Sequence, residues 1–154
     1  MQFYSIKSRQ HLPISLNEAW AFFSSPNNLQ KITPSDMNFT VTSDKKDGEA
    51  MYPGQIITYT LTPLLGIRVK WMTEITHVVD GHYFVDEQRF GPYKLWHHRH
   101  TFIATPNGTD MYDEVHYVLP FGFLGSIAHS LFLRKRIEGI FSYRTKVVED
   151  LFGK

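Results

Sequence analysis

The chain has no cysteine. Disulfides, thiolate metal sites and a cysteine nucleophile are therefore excluded. An excess of one charge is also missing: 16 Lys and Arg against 15 Asp and Glu leave a net charge of +1. That gives no electrostatic basis for binding nucleic acid. Long apolar runs are absent too. The longest uncharged stretch, 115–133, contains His116, Pro120, Gly122, Gly125 and His129, so no transmembrane segment is expected. Met1 to Gln10 has no apolar core and carries Lys7 and Arg9. No secretory signal is expected there, and a cytoplasmic protein is the expected reading. Repeats, low-complexity tracts and linkers are lacking, so residues 1–154 are expected to form one domain.

Aromatic residues are abundant: 12 Phe, 8 Tyr and 3 Trp, 15% of the chain. A chain of this length buries roughly 68–70% of its unfolded surface. That is enough for a core with a hole in it, and the aromatic surplus points to an aromatic-lined interior.

The pattern begins with a strand over residues 2–12. Ser15 and Glu18 have the capping-box spacing for a short helix whose apolar face carries Leu16, Ala19, Trp20 and Phe23. A second short helix is expected over 27–32, stopped by Thr33-Pro34. From Met37 to Leu119 the period changes to two. Six strands are expected, at 37–43, 55–62, 67–79, 82–90, 96–104 and 111–119. Turn signals separate them, among them Lys46-Asp47-Gly48, Asp80-Gly81, Gly91-Pro92 and Pro106-Asn107-Gly108. The last stretch, 124–152, is helical. Ile127, Leu131, Arg134, Ile137, Phe141, Val148 and Leu151 approximate a stripe of helical period, although Gly139 interrupts it. About 30 helical residues span about 45 Å, so this helix has to cross a whole sheet. The fold class is α+β: a seven-stranded antiparallel sheet, its first strand on the far edge of the meander, wrapped around a long C-terminal helix, with two short helices after strand 1.

Cross-strand parity selects the inner face. A tight hairpin at Asp80-Gly81 sets Trp71 opposite Phe90, Thr73 opposite Gln88 and Ile75 opposite Asp86. A loop over 91–95 sets Phe84 opposite Phe102, Asp86 opposite His100, Gln88 opposite His98 and Phe90 opposite Trp96. The other side then pairs Glu87 with Arg99, as a solvent face would. A one-residue slip would bury those charges. The inner face is therefore expected to hold Phe84, Asp86, Gln88, Phe90, Trp96, His98, His100 and Phe102. Trp71, Thr73 and Ile75 flank it on one side, and Val115, Tyr117 and Leu119 on the other.

The run from Phe84 to Phe102, FVDEQRFGPYKLWHHRHTF, resembles the signature of a bacterial branch of the START and birch-pollen-allergen superfamily, the SRPBCC proteins. Further matching positions are Phe22-Phe23, Asn28-Leu29, Ile32-Thr33-Pro34, Trp71, Asp113-x-Val115-x-Tyr117 and Phe141-x-x-Arg144. The resemblance implies a helix-grip fold with a cavity between sheet and helix. It implies a lipid-, polyketide- or hormone-like ligand, with cyclases, dehydratases and lipid carriers among the relatives and cell-division inhibitor among the labels.

Several chemistries are open to the polar cluster. Asp86 bonding His100 and Gln88 bonding His98 would form a self-satisfied network that needs no ligand. The same groups would orient the polar end of a ligand in an apolar pocket. As catalytic candidates, His98 or His100 would act as acid or base beside Asp86, with Tyr117 donating to a developing enolate oxygen. His98, His100 and Asp86 also make a two-histidine, one-carboxylate set. An Asp–His hydrogen bond uses the same parts, so neither a metal nor another cofactor is expected. The expected function is binding of a small apolar molecule. Trp71, Phe84, Phe90, Trp96, Phe102 and Phe141 would supply apolar contact. Thr73, Asp86, Gln88, His98, His100 and Tyr117 would set its orientation. The alternatives are a cyclase or dehydratase using the histidines, and a regulator whose cavity is filled by side chains. The segment Pro120 to Gly125 is expected to be a gate over the cavity, a cover for one end of the core, or a docking patch. Oligomeric state is not readable.

Overall fold

Strand β1 (Tyr4–Leu12) is followed by α1 (Leu16–Phe23). Ser15 and Glu18 form the expected capping box: the Ser15 hydroxyl accepts from the Glu18 amide, and the Glu18 carboxylate accepts from the Ser15 amide at 3.0 Å. Helix α2 (Pro26–Lys31) starts on a proline, whose fixed φ suits the first helical turn. The computed structural model describes residues 2–44 and 49–154, so the turn expected at Lys46-Asp47-Gly48 lies outside the described residues.

The expected strand at 37–43 is mostly something else. Ser35–Met37 is a 3-10 turn ended by Asn38 in the left-handed conformation (φ 45°), and β2 is reduced to Thr40–Val41. Long strands follow: β3 (Gln55–Leu64), β4 (Ile67–Val79), β5 (Tyr83–Phe90), β6 (Leu95–Thr105) and β7 (Gly108–Val118). They form one seven-stranded antiparallel sheet in the order β1-β7-β6-β5-β4-β3-β2, with β1 on the far edge of the meander as its pattern requires. The β7 turn depends on Gly108. Its φ is +148°, and a Cβ there would meet the Leu12 carbonyl oxygen at 2.1 Å. Gly108→Ala is expected to lower stability by about 2 kcal/mol; an unchanged urea midpoint would refute this.

The chain is helical from Gly122 to Phe152: α3 (Gly122–Ala128), a π-helical turn at His129–Leu133, and α4 (Arg134–Phe152). Helix α4 buries Ile137, Phe141 and Val148 in the grip of the sheet. The first half of the expected stripe does not pack this way: Ile127 and Leu131 are 41% and 67% exposed. The wider π turn puts α3 out of phase with α4. Phe121 is also exposed.

The parity of the inner face is as the charge pairs require, but two registers differ from expectation. The β4–β5 turn spans one residue more, with Val79 opposite Tyr83, and an irregularity between Ile75 and His77 restores Thr73 opposite Gln88 and Ile75 opposite Asp86. Phe90 then pairs with Met72, not Trp71. In β5–β6 the pairing is displaced by two: Phe84 lies opposite His100, Asp86 opposite His98 and Glu87 opposite His97. A displacement by two keeps every side chain on its face. The β5–β6 pairing ends at Glu87, and the Gln88 side chain holds the connecting turn. On the outer face, Arg89 meets Glu74 and Glu87, and Arg99 lies opposite Glu114.

The interior divides into three apolar clusters. One joins Leu12, Ala19, Phe84, Phe102, Met111 and Val148; the second holds Met37, Phe39, Leu61 and Trp71; the third holds Val115, Tyr117, Ile137 and Phe141. They surround a gap that none of them fills.

Candidate functional site

Strand alternation alone puts His98 and His100 side by side on the inner face of β6. Their ring centroids are 3.7 Å apart. Asp86 reaches them from β5, directly opposite His98, and Asp113 reaches them from β7, directly opposite His100. The four side chains form one buried cluster. His98 Nε2 lies 2.8 Å and His100 Nδ1 2.9 Å from the same Asp113 oxygen, while His100 Nε2 lies 2.9 Å from Asp86 Oδ2. Both ring nitrogens of His100 thus face carboxylate oxygens, and both must donate; His100 is an imidazolium in this arrangement. His98 spends one N–H on Asp113. Its Nδ1 stands 3.7 Å from Asp86 Oδ2, too far for a hydrogen bond.

The electrostatics agree with this assignment. Burial pushes the His100 pKa down, but hydrogen bonds to Asp113 and Asp86 outweigh it and the net shift is upward. For His98, burial and the neighbouring His100 charge prevail, and its pKa falls. Burial would raise both carboxyls; hydrogen bonds and charge from the histidines reverse this, leaving Asp86 below the ordinary range and Asp113 well below it. Counting Asp86, Asp113, His98 and His100 as −1, −1, 0 and +1 leaves a net charge of −1 in the cluster.

Above the cluster lies a cavity of about 180 Å³ between the sheet and α4. Trp71, Phe84, Tyr93, Trp96, Phe141 and Arg144 line it, with Asp86, His98 and His100 at the polar end. Thr73 also lines it but is already engaged: it accepts from Trp71 Nε1 at 3.1 Å and is hydrogen-bonded to the Tyr59 hydroxyl at 3.0 Å. Burial raises the Tyr59 and Tyr93 pKa values, so both remain neutral phenols. Arg144 stands over Phe141 with Cζ 5.2 Å from the ring centroid, and its buried Nε has no hydrogen-bond partner among the described residues.

Four expected positions stand elsewhere. Phe90, 64% exposed, lies outside the cavity, because a second irregularity, between Met72 and Thr73, sets it opposite Met72 and off the inner face. Gln88 does not bond His98. Its amide donates to the Tyr93 carbonyl at 2.6 Å and accepts from the Tyr93 amide at 3.1 Å, which seats the Tyr93 ring against Trp96. Phe102 packs under Trp20 and Phe84, beyond the cavity floor. Tyr117 is 1% exposed in the third cluster, with no edge on the cavity; burial pushes its pKa up to about 12. The expected gate, Phe121 and Leu124, contributes nothing to the cavity wall.

Sequence reasoning missed Asp113, Tyr59 and Tyr93 as parts of one site; for Arg144 it left open a carboxylate partner on the sheet or a place at the cavity mouth, and the residue lines the cavity. Asp113 was the most accessible of these, since it shares the parity of Val115 and Tyr117. Its acidic neighbours Asp110 and Glu114 face outward, against Arg9 and Lys7, and conceal the one carboxylate of the strand that does not.

No family model matches the chain, and no curated protein does. Solved structures do match over nearly all of it. A protein of Mycobacterium smegmatis superposes with a TM-score of 0.68 at 18% identity, covering 96% of this chain and 89% of that one. A protein of Chromobacterium violaceum gives 0.72 at 12% identity, covering 97% of each. The major latex-like protein of Panax ginseng gives 0.69 at 11% identity, again covering 97% of each. At such identities the likeness concerns the fold: the chain has the helix-grip fold, a seven-stranded antiparallel sheet around a long C-terminal helix. Among the described residues no helix is long and apolar enough to cross a membrane.

Proposed function

We propose that the protein binds a small, largely apolar molecule in the cavity between the sheet and α4. The observation that carries this reading is a hole of about 180 Å³ with aromatic walls and a charged, hydrogen-bonded end. Apolar pockets with a few converging polar groups are the usual form of small-molecule sites. Size narrows the occupant. An apolar cavity of about 150 Å³ takes a benzene ring, so one ring with a short substituent fits without rearrangement. The polar end narrows it further. Arg144 brings its cation to the cavity wall, where an acceptor such as a carbonyl oxygen would be oriented. The cluster charge of −1 beside the Arg144 cation already sums to zero, which favours a neutral ligand. Burial of the ring supplies affinity at about 25 cal/mol per Å², and Arg144 supplies orientation.

Trp71 and Trp96 line the cavity, so occupancy is expected to change tryptophan fluorescence. Titration with acetophenone, a neutral one-ring carbonyl compound, should saturate. Trp96→Ala should weaken it at least tenfold, equivalent to about 1.4 kcal/mol. Native mass spectrometry of untreated protein would identify a retained ligand. If acetophenone, benzyl alcohol and toluene all leave the fluorescence unchanged up to their solubility limits, the reading fails.

An acid–base enzyme is the second reading. One observation favours it: His98 is neutral, its Nε2 is fixed by Asp113, and it lines the cavity. That is the arrangement of an oriented general base. Turnover lost in His98→Gln with acetophenone binding retained would select it.

A further inference from the structure

We propose that Asp86, His98 and His100 form a binding site for one divalent first-row transition-metal ion, such as zinc or iron(II), at the polar end of the cavity, with Asp113 holding both histidines in the ligating orientation. One ligand atom from each of the three lies within 4.8 Å of the other two. His98 Nδ1 and His100 Nε2 stand 3.7 and 2.9 Å from Asp86 Oδ2. In a tetrahedral site with bonds of about 2.0 Å, ligand atoms lie about 3.3 Å apart, and the two separations bracket that value.

The decisive feature is the other nitrogen of each ring. Metal-bound histidines almost always give their remaining N–H to a carboxylate or carbonyl, which fixes ring and tautomer. Here one oxygen of Asp113 lies within hydrogen-bond distance of both: His98 Nε2 at 2.8 Å and His100 Nδ1 at 2.9 Å. With those two protons spent on Asp113, His98 Nδ1 faces Asp86 with a lone pair, and His100 Nε2 faces it with a proton. The expectation of no metal weighed Asp86 as the sole carboxylate, for which a simple Asp–His hydrogen bond accounts equally well. It does not account for His98 Nδ1 facing a carboxylate at 3.7 Å with no hydrogen between them.

Protons and charge balance. The incoming ion takes the place of the proton on His100 Nε2, which leaves to solvent. The four-residue cluster goes from a net −1 with a proton to 0 with a divalent ion, since Asp86 and Asp113 count −1 each and both histidines are then neutral. Three protein ligands leave at least one coordination position open, and all three residues line the cavity. Two histidines with one carboxylate suit zinc or iron(II) rather than magnesium or calcium, which prefer all-oxygen sites. The metal site does not rest on the proposed ligand, but filling it raises the net charge of the polar end, cluster and Arg144 together, from 0 to +1.

Chelator-treated protein is titrated with Co2+, followed by visible absorbance, and then with Zn2+ in competition. Expected are one ion per chain, a d–d spectrum of low coordination number, and release of about one proton per ion in weakly buffered solution. Asp86→Asn and His98→Gln should abolish the spectrum, and Asp113→Asn should weaken binding about 10–100-fold. The double variant His97→Gln/His116→Gln, on the outer face, should bind as wild type does. Should a histidine variant fail to fold by far-UV circular dichroism, stoichiometry in wild type and the loss of the spectrum in Asp86→Asn decide. Co2+ affinity equal in wild type and Asp86→Asn, or spectral loss in the outer-face variant, would each overturn the proposal.

Discussion

Asp113→Ala is expected to destabilise the fold by about 3–5 kcal/mol, the range seen when one partner of a buried charged pair is removed. The Asp113 side chain is 4% exposed and joins His98 and His100 through a single oxygen. Without it, two buried N–H groups lose their acceptor, and the His100 imidazolium keeps only Asp86. Asp113→Asn retains an acceptor oxygen and loses the charge, so its cost should be smaller, about 1–2 kcal/mol. Urea denaturation with EDTA present, followed by far-UV circular dichroism, measures the protein groups alone. For a chain of this size each kcal/mol moves Tm by about 2–4 °C, so the alanine variant should melt roughly 6–20 °C lower. An alanine variant melting within about 2 °C of wild type would show that the cluster is not joining β5, β6 and β7.

Phe102→Ala should cost a similar amount, about 3–5 kcal/mol, by a different mechanism. Phe102 is 2% exposed. Its ring centroid lies 5.7 Å from Trp20, 5.8 Å from Phe23 and 6.3 Å from Phe84, so truncation opens a void beneath α1 that these rings cannot close. The cavity wall does not include Phe102. Acetophenone affinity per folded molecule should therefore stay within about twofold of wild type, while Trp96→Ala should show the reverse: large loss of affinity and smaller loss of stability. Parallel loss of both properties in Phe102→Ala would mean that core and cavity form one packing unit.

The inner face was legible because strand alternation has a period of two and the outward charges Glu87 and Arg99 have only one affordable side. That argument survives a displacement of the β5–β6 register by two, since such a displacement moves partners without turning any side chain over. It carries no information about which partner is met. Asp86 meets His98 across the ladder and bonds His100 on the diagonal, and Gln88 serves the Tyr93 turn. Turn length set these choices. The Val79–Tyr83 connection and the irregularity before His77 are decided by backbone geometry that side-chain pattern does not encode.

By itself, the order of periods along the chain determined the helix-grip architecture. A two-residue period over most of its middle and a helix long enough to cross the sheet allow few other ways to bury both apolar faces. The strand identity of His98 and His100 also followed from local pattern. What only the tertiary structure decided is the meeting of groups far apart in sequence. Asp113 comes to two histidines from a neighbouring strand, Arg144 comes from α4 to the cavity, and three separate clusters leave a gap where they converge. Each is a question of register or crossing geometry, fixed by the packing of whole elements, and local preferences have nothing to say about it.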